Sequence, residues 1–205
     1  PKTPCNGESN KQNQSSTQMS QQSSTTTNNF KLNDPPTDGI TRIQFSPTQR
    51  THLAVSSWDS NTRLYDTSSN TLIWSSNKAS GEDDGGRAGG AVLDVCFSSD
   101  GQSLFTGGLD CKITQYFPYA SSNQPQQKQA VVIGSHEKAV RCVVAVPNHP
   151  HMVLSGSWDE SIKLWDARLP NVCLASTHLS KKVFSMDVTT DGSKLIVGTN
   201  ERQIF

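Results

Sequence analysis

His136, Ser155 and Asp159 are the residue types of a hydrolytic triad, in which a serine attacks a carbonyl, a histidine takes its proton and a carboxylate orients the imidazole. Their surroundings argue against that chemistry. Ser155 follows the apolar run Met152, Val153 and Leu154, which reads as a strand and not as a strained elbow, and no oxyanion loop comes after it. A different arrangement uses the same residues and adds Trp165. Asp159, in a tight turn, accepts from His136; His136 contacts the Ser155 hydroxyl; the hydroxyl meets the Trp165 indole N–H. Each donor then has an acceptor, so the group can be buried without penalty and pins a loop to its sheet. The expectation is a structural tetrad and no catalytic residue.

Other chemistry-bearing residues point the same way. Asn148-His149-Pro150-His151 has two histidines, but with no further Cys, Asp or His nearby it reads as a turn and not a metal site. Gly81 to Gly90 is glycine-rich and acidic but lacks the Gly-Lys-Ser/Thr ending of a phosphate loop, and is expected to be a mobile connection. The five cysteines, Cys5, Cys96, Cys111, Cys142 and Cys173, are odd in number and contain no CxxC pair, which argues against disulfides and zinc and for a reducing compartment. No metal or cofactor is expected.

The elements that position these residues repeat. Ser57-Trp58-Asp59-Ser60-Asn61-Thr62-Arg63-Leu64-Tyr65-Asp66 matches Ser157-Trp158-Asp159-Glu160-Ser161-Ile162-Lys163-Leu164-Trp165-Asp166 position by position. A weaker copy, Gly108-Leu109-Asp110 to Tyr116, lies between them, and a fourth begins at Gly198. Short β-branched or aromatic runs open each copy: Ile40 to Phe45, Val92 to Phe97, Val140 to Val143 and Val183 to Val188. Each leads through turn residues, including Asp100-Gly101 and Asp191-Gly192, into a second apolar run. No segment keeps a 3.6-residue period, so almost no helix is expected. Trp-Asp repeats near this length are the sequence form of WD-repeat propeller blades. The expected fold is an all-β WD-repeat β-propeller, with blades near 39–76, 89–134, 135–179 and 181–205. Repeat one keeps Ser56, Asp59 and Tyr65 without a histidine, and repeat two keeps Thr106, Asp110 and Tyr116. Their incomplete tetrads predict blades tied down less well.

Residues 1–29 are mostly Gln, Asn, Ser and Thr, which cannot build a core and read as a disordered leader. Lys plus Arg and Asp plus Glu are both 18, so the formal net charge is zero. A neutral chain with no basic run is a poor candidate for direct binding to nucleic acid or an anionic membrane. No apolar run is long enough for a spanning helix. The chain starts at Pro1 and stops at Phe205 within a repeat, which reads as about three and a half blades, the N-terminal fragment of a ring.

Trp58 and Trp158 are the informative pair, because each precedes a turn Asp at the tip of a tight turn on one face. Trp is the residue most enriched at interaction hot spots, so the pair reads as an exposed anchor for a partner, the alternative being an aromatic packed into the rim. Leu109 occupies the same turn position between them and extends an apolar strip, with Lys138 and Arg141 as cations beside it. Trp165-Asp166-Ala167-Arg168 resembles the motif with which substrate receptors of cullin-type ubiquitin ligases hold their adaptor. The alternative is that Asp166 and Arg168 simply pair on the opposite rim.

Together, Phe30-Lys31-Leu32-Asn33, Ser56-Ser57-Trp58-Asp59, Arg63-Leu64-Tyr65-Asp66, Gly90-Ala91-Val92-Leu93-Asp94, Gly107-Gly108-Leu109-Asp110, Val140-Arg141-Cys142-Val143, Gly156-Ser157-Trp158-Asp159 and Leu195-Ile196-Val197-Gly198-Thr199 resemble the Bub-type WD-repeat family of the mitotic spindle checkpoint. A sibling family is the messenger-RNA export propeller of the nuclear pore. The resemblance implies a seven-bladed, non-catalytic propeller, found in the nucleus, at kinetochores in mitosis and in the cytoplasm. It implies two partners: the GLEBS motif of a checkpoint kinase and its pseudokinase relative, and phosphorylated Met-Glu-Leu-Thr repeats of the kinetochore scaffold. By position Trp58 and Trp158 match tryptophans that contact the GLEBS segment, whereas the phosphate-holding residues belong mainly to later blades. No obligate homo-oligomer is expected. The leader and the loops 77–90 and 118–130 are longer than the family's. Phe30 to Leu32 corresponds to a ring-closing strand, which has no partner in a half-ring, and such a piece is expected to be marginally stable or prone to aggregate.

Overall fold

Runs of five or six β-prone residues separated by turns fold into antiparallel hairpins, because neighbouring strands can then share a full hydrogen-bond ladder. The computed structural model describes residues 29–76, 90–120, 130–202 and 204–205. The leader up to residue 28, most of the two long loops including nearly all of Gly81 to Gly90, Cys5 and residue 203 lie outside the described residues. The chain divides into Pro1–Lys31 and Leu32–Phe205, and all strands belong to the second unit.

The first sheet, blade 1, runs β1 (Ile40–Phe45), β2 (His52–Ser57), β3 (Thr62–Asp66) and β4 (Thr71–Ser75) in order. Blade 2 is β5 (Val92–Phe97), β6 (Leu104–Gly108), β7 (Lys112–Tyr116) and β8 (Ala130–Ser135). Blade 3 is β9 (Val140–Ala145), β10 (Met152–Ser157), β11 (Ser161–Asp166) and β12 (Cys173–His178). A fourth sheet pairs β13 (Val183–Val188) with β14 (Leu195–Thr199), and Gly198 bridges on to Ile204. The described residues contain no helix, and hence none able to cross a membrane. Successive four-stranded antiparallel sheets form a partial β-propeller. Phe30 to Leu32 is irregular chain and not a strand.

The innermost strand of every sheet carries an irregularity at the same place. Thr41, Leu93, Arg141 and Phe184 are each skipped by the register with the second strand. A β-bulge of this kind increases local twist, and its recurrence shows that the copies share detailed geometry as well as a pattern. Gly101 and Gly192 adopt φ of 71° and 72° in the turns that follow, a region a side chain would strain.

The core lies between blades. Ala54 and Leu64 of blade 1 pack on Val95, Phe97, Leu104 and Tyr116 of blade 2. Cys96, Phe105 and Ile113 of blade 2 pack on Val140, Val143, Val153 and Trp165 of blade 3, and Cys142 and Ile162 then meet Val183 and Val197. Each sheet is buried by its neighbour, so stability sums over adjacent pairs. Where no neighbouring sheet covers them, apolar side chains stay exposed, among them Ile43 and Phe45 of β1 and Ile196 of β14.

Gly134 on β8 shows how closely the blades approach. The Trp165 ring lies directly over it, and a Cβ there would overlap Cζ3, Cε3 and Cη2. Gly134→Ala should therefore destabilise the protein by about 1–3 kcal/mol through overpacking, measured as a lower denaturation midpoint. An unchanged midpoint would show that Trp165 can yield.

Candidate partner-binding face

The turns between second and third strands superimpose bond by bond. Trp58 N donates to Gly39 O (2.9 Å), Leu109 N to Ala91 O (3.0 Å) and Trp158 N to Ala139 O (3.0 Å). The Asp that follows each closes its turn. Asp59 Oδ1 accepts from Asn61 N (3.0 Å), Asp110 Oδ1 from Lys112 N (3.1 Å) and Asp159 Oδ1 from Ser161 N (3.0 Å). Between them Ser60, Cys111 and Glu160 hold φ of 68°, 65° and 72°. Asn200 takes the same place in the fourth copy, its N–H donating to Lys182 O at 3.1 Å. Trp58, Leu109, Trp158 and Asn200 thus mark one rim of successive blades.

The two tryptophans differ in environment. Trp58 is 49% exposed. Trp158 is half-buried and packs with Leu109 on Ala91, Leu93 and Ala139, its ring 6.2 Å from that of Phe184. Its indole Nε1 is buried without a hydrogen-bond partner. Lys138 is exposed beside it, whereas half-buried Arg141 directs Nη1 to Leu93 O (3.4 Å). The rim therefore offers one projecting aromatic, one aromatic set in an apolar platform and a flanking cation.

Below this rim, blade 3 contains a continuous hydrogen-bond chain. Asp159 Oδ2 is 2.9 Å from His136 Nδ1, His136 Nε2 is 2.7 Å from Ser155 Oγ, and Trp165 Nε1 donates to Ser155 Oγ at 2.7 Å. Ser161 Oγ joins it, 2.6 Å from Asp159 Oδ1 and 3.0 Å from His136 Nδ1, and Glu137 N donates to Asp159 Oδ2 at 3.0 Å. Ser155 has no exposed surface, so no substrate carbonyl reaches its hydroxyl. Ser161 was legible only as the residue two beyond the turn Asp.

Blade 1 ties the same turn differently. Asp59 Oδ2 takes the Thr37 N–H (3.0 Å), the counterpart of Glu137 N–H, and lies 2.8 Å from Arg63 Nη1. Against burial, that ion pair helps, with the Thr37 and Asn61 N–H groups, to hold the Asp59 carboxyl below its usual range. The aromatic is uncoupled from the serine: Tyr65 donates its hydroxyl to Asp34 O (2.7 Å), and Ser56 Oγ meets Thr41 Oγ1 (2.8 Å). In blade 2, Thr106 Oγ1 donates to Thr114 O (3.5 Å) and Tyr116 packs against Trp74. In blade 1 Arg63 and Thr37 thus serve Asp59 in place of the missing histidine.

Burial lowers the His136 pKa despite the neighbouring carboxylate, so the imidazole is neutral at physiological pH. Asp159 is held down at about 2: burial opposes its charge, but bonds from Ser161, His136 and the Glu137 N–H outweigh that. A depressed histidine gives stability that is complete above its unfolded pKa of about 6.5 and is lost as pH falls through the folded value. Melting temperature should therefore drop as pH falls from 7.5 to 5.0, with a shallower slope in His136→Gln. Equal slopes in the two proteins would remove His136 as the source.

On the opposite rim, Arg168 Nε and Nη2 fork onto Asp166 at 2.9 and 2.5 Å, and this partnership holds the Asp166 pKa down at about 2. The two side chains pair with each other, with Arg168 exposed on that rim. Asn148 to His151 forms the turn joining β9 to β10, with His149 N donating to Val146 O. Among the described residues no group of three His, Cys, Asp or Glu side chains stands close enough to hold a metal ion.

This bladed architecture with Trp-Asp turns has a counterpart in sequence: residues 27–66, 80–116 and 127–166 match the WD domain, G-beta repeat. The chain belongs to the WD40 repeat family. Within that family it is similar to mitotic checkpoint protein bub3 of Dictyostelium discoideum, 32% identical over 175 residues that cover 85% of this chain and 47% of the relative. It is likewise similar to mitotic checkpoint protein BUB3.1 of Arabidopsis thaliana, 37% identical over 178 residues, 85% of this chain and 46% of the relative. Protein Rae1 of Drosophila melanogaster is 31% identical over 188 residues, 90% of this chain and 49% of the relative. The chain spans about half the length of the curated relatives it matches.

Proposed function

We propose that this chain is part of a non-catalytic scaffold of the mitotic spindle checkpoint. Its turn-bearing rim docks a short GLEBS-type segment of a checkpoint kinase and its pseudokinase relative, and it brings them to phosphorylated Met-Glu-Leu-Thr repeats at kinetochores. The protein works in the nucleus, at kinetochores in mitosis, and in the cytoplasm. The observation that carries this reading is Trp58, a large aromatic 49% exposed at the turn position that Trp158 occupies two blades away. An exposed Trp costs little conformational entropy to immobilise and gains large area when covered. On the same rim, further round the blades, Trp158, Leu109 and Phe184 supply an apolar platform, and exposed Lys138 a charge for an acidic flank.

A second reading, a messenger-RNA export propeller, is favoured by the similarity to mRNA export factor GLE2 of Chaetomium thermophilum across 86% of the chain. The checkpoint reading has the higher identity, 37% for BUB3.1 against 34% for the Poly(A)+ RNA export protein of Schizosaccharomyces pombe. Affinity purification of the tagged gene product from mitotic and interphase cells separates them. Kinetochore and checkpoint-kinase proteins in the mitotic sample support the proposal; nuclear-pore proteins alone, in both samples, would replace it with the export reading.

A further inference from the structure

The blades are separate sheets, so no backbone ladder joins one to the next. Each innermost strand is an edge of its sheet, and N–H groups along that edge need acceptors from elsewhere. Side chains of the preceding blade supply partners for that edge. Between blades 1 and 2, Gln44 Oε1 accepts from Phe97 N (2.9 Å) and Thr41 Oγ1 donates to Val92 O (2.6 Å). Between blades 2 and 3 the acceptor is Asp94, whose Oδ2 takes the Val143 N–H at 3.0 Å while Oδ1 takes the adjacent Val95 N–H at 2.9 Å.

Asp94 is 7% exposed, a costly place for a carboxylate, and burial raises its pKa. The charges facing it come from both sides: Arg42 of blade 1, with Nε 3.6 Å from Oδ1, and Arg141 of blade 3, which spans the same gap to Leu93 O. The Cys96 and Cys142 thiols nearby are kept protonated by burial. An apolar residue would fill this space at lower desolvation cost but would leave the Val143 N–H unpaired. The geometry around the bond connects it to the rim. Leu93, next to Asp94, forms part of the platform under Trp158, and β9, which Asp94 holds, starts at Val140, just after the Ala139 carbonyl that anchors the Trp158 turn.

We infer that Asp94 is a positioning residue: by holding β9 to β5 it fixes the distance of the Trp158 turn from the Leu109 and Trp58 turns. The importance of that distance rests on the docking role proposed above, but the distance itself does not. The test is therefore made without ligand, so a failed docking assay and a failed positioning claim are distinguishable.

Spin labels at Ser60→Cys and Glu160→Cys report blade 1 to blade 3, and labels at Ser60→Cys and Lys112→Cys report blade 1 to blade 2. Cys111 already occupies the corresponding left-handed turn position, so cysteine fits there. Exposed native cysteines are replaced by serine, and distances are read by double electron–electron resonance in the complete gene product. Asp94→Leu is expected to broaden and shift the 60–160 distribution and leave 60–112 unchanged. Asp94→Asn, which keeps an acceptor for Val143 N–H, is expected to retain the parent 60–160 distribution. If the leucine variant does not fold, Asp94→Ser serves, its hydroxyl being too short to span the gap. A folded Leu or Ser variant with unchanged 60–160, or with both distances broadened alike, overturns the inference.

Discussion

Asp159→Ala should destabilise the protein by about 3 kcal/mol, the scale expected when a buried charged acceptor is removed from several donors at once. The carboxylate takes the backbone N–H groups of Glu137 and Ser161, the Ser161 hydroxyl and the His136 imidazole, and its side chain is only 6% exposed. Truncation leaves all of them short of an acceptor. His136 then loses its orientation toward Ser155, and Trp165 loses the fixed oxygen to which its indole donates. Asp159→Asn, which keeps one acceptor oxygen, should cost less than half as much. The check is a pair of urea or guanidinium denaturation curves, compared at equal slope. Alanine and asparagine variants that both unfold with the parent would mean the chain of bonds contributes nothing net.

The second large effect divides the two tryptophans. Trp58 is half in solvent and supports little of the core, so Trp58→Ala should change stability by no more than about 0.5 kcal/mol, as surface substitutions do. Its docking loss should be about 2 kcal/mol, the scale of an interface hot spot, or roughly thirtyfold in Kd. Trp158→Ala should weaken docking too, but it also removes the ring that covers Ala91, Leu93 and Ala139 and faces Phe184. About 2 kcal/mol of stability should go with it. Trp158→Phe keeps most of that packing and discards an indole N–H that is buried without a partner, so it should be close to neutral in stability. Denaturation of all three variants, alongside docking, separates the positions; equal stability loss at Trp58 and Trp158 would contradict the burial difference.

Much of the architecture was legible because its causes are local. Strand runs such as Val92 to Phe97 and turn glycines such as Gly101 are set by period and by φ, which a sequence displays directly. The spacing of His136, Ser155, Asp159 and Trp165 could be read as a hydrogen-bond chain because each residue type has a fixed donor and acceptor inventory. The fourth strand of each blade was harder to see. Thr71–Ser75 and Cys173–His178 are short and only partly covered or wholly exposed, so selection for an apolar period is weak there. Substitutions of partner were also hidden: Arg63 and Thr37 serve Asp59 in place of histidine, a solution that depends on side-chain reach and not on type at a given position. The difference between Trp58 and Trp158 arises for the same reason. Both precede a turn Asp, but only the Trp158 ring meets Leu109 and Phe184 from the adjacent blades. Asp94 and Gln44 reach between sheets that lie a blade apart in sequence, and no periodicity announces such contacts.

The central claim is that this rim is a docking face with Trp58 as an anchor. Its most direct test is calorimetric titration of the complete gene product, parent and Trp58→Ala, with a synthetic GLEBS peptide of a checkpoint kinase. Saturable binding by the parent and roughly thirtyfold weaker binding by a Trp58→Ala protein of unchanged stability are expected. Binding that is equal in the two folded proteins, or absent from both, would contradict that claim.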